Sequence, residues 1–102
     1  MVLQQIAQQN FDTLHIVLGF VKGKNLALVL PLFPKNAIYY FCKPDVHRGL
    51  EADVLRNEAL NFGIKGAVYA SVIKAQKAAI EKSKASDFIF IGGSNFVVAE
   101  VV

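Results

Sequence analysis

The sequence predicts an α/β fold: a Rossmann-like three-layer domain around a mainly parallel four-stranded sheet in the order 3-2-1-4. Three observations predict it. Short β-branched and aromatic runs alternate with segments of helical period, strand then helix, four times over. Such alternation implies parallel strands joined by right-handed crossovers. The first and last of these runs are the most continuously apolar and are expected at the centre of the sheet, whereas the third is short and is expected at an edge.

The elements follow in chain order. Residues 2–9 place Leu3, Ile6 and Ala7 on one helical face with glutamines opposite. Residues 14–20 (LHIVLGF) read as a strand buried on both sides, and 21–25 (VKGKN) as a polar loop. A short apolar helix spans 26–33, with Pro31 kinking it or ending it early because proline has no N–H to give. The second strand is 38–42 (IYYFC), and the Pro, Asp and Gly of 43–49 (KPDVHRG) make a loop. Residues 52–61 form an amphipathic helix with Leu55, Ala59 and Leu60 inward, stopped near Gly63. A short strand at 67–69 precedes a helix that Ser71 can cap and that runs to about Lys84, alanines inward and lysines outward. Residues 88–91 (FIFI) are the fourth strand. Gly92, Gly93 and Ser94 then turn the chain into a nearly all-apolar helix from Asn95, with Ser94 as its cap.

Composition narrows the function classes. One domain is expected at 102 residues, with room for a core that needs no disulfide or metal. A net charge of +3 without any Lys/Arg block gives nucleic-acid binding little support. The single Cys42 cannot form an internal disulfide, fits a reducing, cytoplasmic setting, and reads as a buried thiol. The polar start QQIAQQN is unlike a signal peptide, and no apolar run approaches the ~20 residues of a membrane span. Yet the apolar fraction is 54%. That surplus is expected to cover a face meeting another domain, and the helix-like segment directly after Met1 reads as a piece of a longer chain.

Several chemistries lack their residues. Neither GxGxxG nor GxxxxGK[ST] occurs, so this segment is not expected to bind a dinucleotide or cradle a nucleoside triphosphate alone. His15 within its apolar strand reads as a packed or edge histidine, and His47 has no second ligand at metal spacing. Ser94 has no triad partners. What the predicted sheet does collect is an edge. The loops after strands one and two carry Lys22, Lys24, Lys43, His47 and Arg48; the turn after strand four carries Gly92, Gly93 and Ser94. Ligands of open α/β sheets bind beyond the carboxyl ends of the strands where the strand order reverses, here between strands one and four. Cations facing a capped helix start favour phosphate or carboxylate. The plainer alternative is a tight strand–helix connection flanked by solvated lysines.

From residue 14 to 102 the chain resembles the C-terminal domain of folylpolyglutamate synthase, including its dihydrofolate synthase forms, within the Mur-ligase-like family. The segments that carry the resemblance are LHIVLGFVKGKN, LPLFPKNAIYYFCKPDVHRGLEADVLRNEA and DFIFIGGSNFVVAEVV. The resemblance implies an ATP-dependent amide ligase that joins L-glutamate to the carboxylate of a folate or dihydropteroate through an acyl phosphate. ATP and Mg2+ would belong to the full-length enzyme, and this fragment alone would bind neither and would be inactive. Residues 1–102 would be a single C-terminal domain fragment, partnered by an N-terminal ATP- and folate-binding domain of the same polypeptide. Arg48, Gly93 and Ser94 would bind glutamate; Lys24 and Lys22 would lie near the nucleotide phosphates. Two departures stand out: Gly23 and Asn25 replace the family's acids around the lysine, and His47 replaces the proline before the arginine. Two other expectations compete, a free-standing small-anion or partner-binding module without catalysis, and closer kinship with the amino-sugar ligases of cell-wall peptides.

Overall fold

The computed structural model describes residues 13–23 and 25–93. β1 (Leu14–Gly19), β2 (Ile38–Phe41), β3 (Gly66–Val68) and β4 (Phe88–Gly93) form one sheet in the order β3-β2-β1-β4, and every neighbouring pair is parallel. The helices are α1 (Leu26–Val29), which tightens into a 3-10 turn at Leu30–Leu32, then α2 (Ala52–Leu60) and α3 (Val72–Lys82). Pro31 sits inside the 3-10 turn, so the predicted eight-residue helix gives way where proline interrupts the backbone bonding.

Alternation along the strands sends side chains to two cores. Ile16, Leu18 and Phe20, with Tyr39 and Phe41, pack under Leu30, Phe33, Leu55, Ala59 and Ile64. On the opposite face Val17, Tyr40 and Cys42 meet Val72, Ala75 and Ala79 of α3. The two helical layers explain why β1 is apolar at nearly every position: all six of its residues are buried. The Cys42 thiol is fully buried and donates to the Leu18 carbonyl at 3.5 Å. Ser71 caps α3 as expected, its hydroxyl accepting from the Lys74 N–H at 3.1 Å.

Three expectations are corrected. β4 is not central; it pairs only with β1 among the described strands, and Phe88–Ile91 are half-buried. Continuous apolarity marks a strand that packs on both faces, which an edge strand also does: Phe88 and Phe90 pack on one core, Ile89 and Ile91 on the other. Secondly, Gly92 and Gly93 do not turn the chain but continue β4, aligned with Leu18 and Gly19, because β1 extends far enough to pair with them. Thirdly, Leu60 is exposed; Ala52, Leu55 and Ala59 face inward, and Leu60 lies about 100° further round the helix than Ala59. The helix expected at 2–9, Lys24, Ser94 and the helix from Asn95 lie outside the described residues. Among the described residues no helix is long and apolar enough to cross a membrane.

Candidate functional site

The carboxyl ends of β1 and β2 do not simply open into separate loops. Val21 and Gly49 make an antiparallel bridge between the two connections. The Lys22 N–H donates to the Arg48 carbonyl at 2.6 Å, and the Leu50 N–H donates to the Phe20 carbonyl at 2.8 Å. The Arg48 side chain returns the contact, Nη2 donating to the Lys22 carbonyl at 3.2 Å. Gly23 completes the turn at φ +89°, a left-handed conformation that favours glycine, and a Cβ there would lie 3.4 Å from Arg48 Nη2. The structure therefore brings Lys22 and Arg48 together, both exposed, on one clasp of two loops. The base of the second loop is fixed separately by an ion pair of 2.9 Å between Lys43 and Glu51.

Among the described residues, concavities open beside the clasp. One, of about 250 Å³, is lined by Val21, Val46, His47 and Arg48. The other, of about 330 Å³, lies between the β1 loop and α2; Gly23, Leu26, Leu50, Val54 and Glu58 are among its walls. Gly93 ends β4 on the far side of β1, aligned with Gly19. Strands sit about 4.8 Å apart, so Gly93 and the β2 loop flank the exit of β1 at roughly 10 Å from each other. Of the sequence-predicted site residues, Arg48, Lys22 and Gly93 thus share the carboxyl edge; Lys24 and Ser94 fall outside the described residues. The sequence places His47 on this edge; the structure makes it a cavity wall. Its place depends on a pairing between two loops that are 26 residues apart at Lys22 and Arg48, which no local pattern signals.

Exposed Lys22 and Arg48 make this edge electropositive. Among the described residues no group of three His, Cys, Asp or Glu side chains converges to hold a metal ion. A divalent cation wants several oxygen ligands. The lining of the smaller cavity supplies imidazole and guanidinium instead.

His15 is a different kind of group. It is buried, with Nε2 2.8 Å from Asp87 Oδ2 and Nδ1 2.8 Å from the Tyr40 hydroxyl. A carboxylate only accepts, so Nε2 carries the proton, and in the neutral ring Nδ1 accepts from Tyr40. The packed reading of His15 holds, and its polar partners come from β2 and from the residue before β4.

A three-layer parallel sheet in this order defines the class: a Mur-ligase-like α/β domain. More particularly, the chain is homologous to a domain-sized segment of the folylpolyglutamate synthases. It is 31% identical over 103 residues to the probable bifunctional folylpolyglutamate synthase/dihydropteroate synthase of Halobacterium salinarum, spanning 97% of this chain and 12% of that protein. Among solved structures, E. coli FolC in complex with DHPP and ADP shares 25% identity at a TM-score of 0.83, covering 96% of this chain and 23% of that one. The fold is also that of the Yersinia pestis bifunctional folylpolyglutamate synthase/dihydrofolate synthase complexed with AMPPNP and Mn ion (TM-score 0.77, 21% identity, 98% of this chain and 23% of that one). No family model matches the chain. The chain spans less than a quarter of the length of each of these proteins.

Proposed function

We propose that residues 1–102 are the C-terminal, glutamate-binding domain of an ATP-dependent folylpolyglutamate synthase, inactive alone and completed by an N-terminal ATP- and folate-binding domain of the same cytoplasmic polypeptide. The observation that carries this reading is homology to folylpolyglutamate synthases along 97% of the chain. ATP, with Mg2+, would supply the phosphoryl group that converts the carboxylate of folate or dihydropteroate to an acyl phosphate. The glutamate amine would then attack that carbonyl carbon, the C–N bond forming as the C–O bond to phosphate breaks, with phosphate leaving and the amine's surplus proton passing to solvent. This domain's part is positioning. Holding the amine in line with the carbonyl makes the encounter effectively unimolecular.

Arg48 is the residue we assign to a glutamate carboxylate, because a guanidinium grips a carboxylate in two-pronged fashion. Gly93 and Ser94 would take the other end of the amino acid, across the exit of β1. Lys22 and Lys24 would lie towards the nucleotide phosphates. Rebuilding the two-domain enzyme and replacing Arg48 with Ala tests the assignment. A charged hydrogen bond is worth about 1.5–3 kcal/mol, so kcat/KM for glutamate is expected to fall by about tenfold or more. Unchanged KM and turnover would overturn it.

A second reading, a small-anion module without catalysis, draws on the cavity that His47 and Arg48 line. An ATP-binding domain encoded upstream in the same frame decides for the ligase.

A further inference from the structure

We propose that the cavity formed by Val21, Val46, His47 and Arg48 is the subsite for the side-chain carboxylate of the incoming amino acid, and that His47 is a specificity-determining contact within it. The inference rests on the glutamate-binding reading and adds a residue and a substrate preference to it.

The geometry points there in four ways. Firstly, the turn that carries His47 and Arg48 is held by its own backbone, the Val46 N–H donating to the Pro44 carbonyl at 2.8 Å and the Gly49 N–H to the Val46 carbonyl at 2.9 Å. Both side chains line one cavity. Secondly, Arg48 is anchored before any ligand arrives. Its main chain pairs with Lys22, and Nη2 reaches the Lys22 carbonyl. A guanidinium has five N–H donors, so this bond leaves others for a ligand, and an anchored fork loses less entropy on binding.

Thirdly, the remaining walls are aliphatic. Val21 and Val46 can cover the methylenes of a short acid while its carboxylate meets the two polar heads. The volume of about 250 Å³ suits a small amino-acid side chain and lies below the roughly 300–1,000 Å³ of sites for larger ligands. Fourthly, among the described residues the lining contains no acid. Asp45, in the same loop, is not among the lining residues, and Glu51 is paired with Lys43.

His47 donates from one ring nitrogen when neutral and from both when protonated, so in either state it supplies a donor to a carboxylate oxygen. A carboxamide offers one oxygen and an NH2 group that only donates. That group would face the guanidinium donors, and the imidazole donors of a protonated ring, without a partner, so the subsite favours an acid over its amide.

The test uses the full-length two-domain enzyme and the 102-residue chain together. In the enzyme, His47→Ala is expected to raise KM for L-glutamate about tenfold with kcat within about twofold, and to narrow the preference for L-glutamate over L-glutamine. His47→Asn, which keeps a donor, is expected to restore part of the affinity. In the 15N-labelled chain, L-glutamate is expected to shift the amides of Val21 and Val46–Gly49 saturably; L-glutamine and inorganic phosphate are not. Thermal unfolding of His47→Ala should match the parent, since the residue is exposed.

An active ligase in which His47→Ala leaves KM and the glutamine preference unchanged overturns this inference and leaves the glutamate-domain reading standing. Equal shifts with phosphate also overturn it, as marking a general anion site. If the rebuilt enzyme fails to ligate glutamate, the ligase reading falls. The amide shifts then decide the subsite alone: present at residues 46–49 with glutamate they sustain it, and absent they overturn it.

Discussion

At the scale of single residues, the most consequential group outside the candidate site is the chain of hydrogen bonds Asp87–His15–Tyr40. It links the entry of β4 to β1 and β2 through side chains that are almost fully enclosed. The His15 hydrogen bond holds the Asp87 carboxyl below its ordinary range, with help from the Lys84 N–H at 3.0 Å; desolvation opposes the shift. Burial pushes the Tyr40 phenol up, and the nearby Tyr69 and Asp87 reinforce this. The folded-state value of Asp87 is thus depressed relative to the unfolded chain. Its contribution to stability is complete above the unfolded value, about pH 3.9, and is lost as pH falls through the folded value. Thermal unfolding measured from pH 7 down to pH 2.5 is expected to show a steeper acid decline for the parent than for Asp87→Asn. At neutral pH, His15→Leu should cost about 1–3 kcal/mol, because the buried Tyr40 hydroxyl loses its partner.

At the scale of elements, α2 and α3 show how little sequence separates a core position from a surface one. Leu55 and Leu60 belong to the same helix, yet the first is fully buried and the second is 49% exposed. Leu55→Ala is expected to cost about 2–5 kcal/mol in urea unfolding, and Leu60→Ala less than about 0.5 kcal/mol. Replacing the capping Ser71 with Ala should cost about 1 kcal/mol. β3 is short but sits tightly on its neighbour: a Cβ at Gly66 would lie 2.5 Å from the Tyr39 carbonyl oxygen and 2.7 Å from Tyr39 Cβ. Gly66→Ala therefore has to displace the backbone of one strand or the other, with an expected loss of about 1–3 kcal/mol in the same unfolding assay.

At the scale of the whole molecule, the apolar content of the described residues finds two destinations. Most of it fills the two cores on either side of β1 and β2. Some of it stays outside, most of all on the segment that follows the candidate site, where Leu28 is 71% and Leu32 59% exposed. Exposed leucines this close together favour self-association of the isolated chain. The double variant Leu28→Ser/Leu32→Ser is expected to lower light scattering at high protein concentration while leaving the unfolding midpoint within a few degrees.

What the amino-acid sequence determined by itself was what short-range periodicity carries. The strand–helix alternation, the parallel sheet, the short third strand at an edge, the Ser71 cap and the buried thiol of Cys42 all depend on neighbours within a few residues or on burial that alternation reports. The order 3-2-1-4 was legible too, although from a premise that only half held, since an apolar strand packed on both faces can lie at an edge. Of the candidate site, Arg48, Lys22 and Gly93 could be assigned to one edge because topology alone places them there. The tertiary structure decided the rest. The continuation of β4 through Gly92 and Gly93 follows from the length of β1 beside it. The clasp between Lys22 and Arg48, the cavity it gives to His47, and the partners of His15 follow from register between segments distant in the chain. Hydrogen bonds across such distances depend on which backbones lie side by side, and no periodicity along a single strand or helix encodes that.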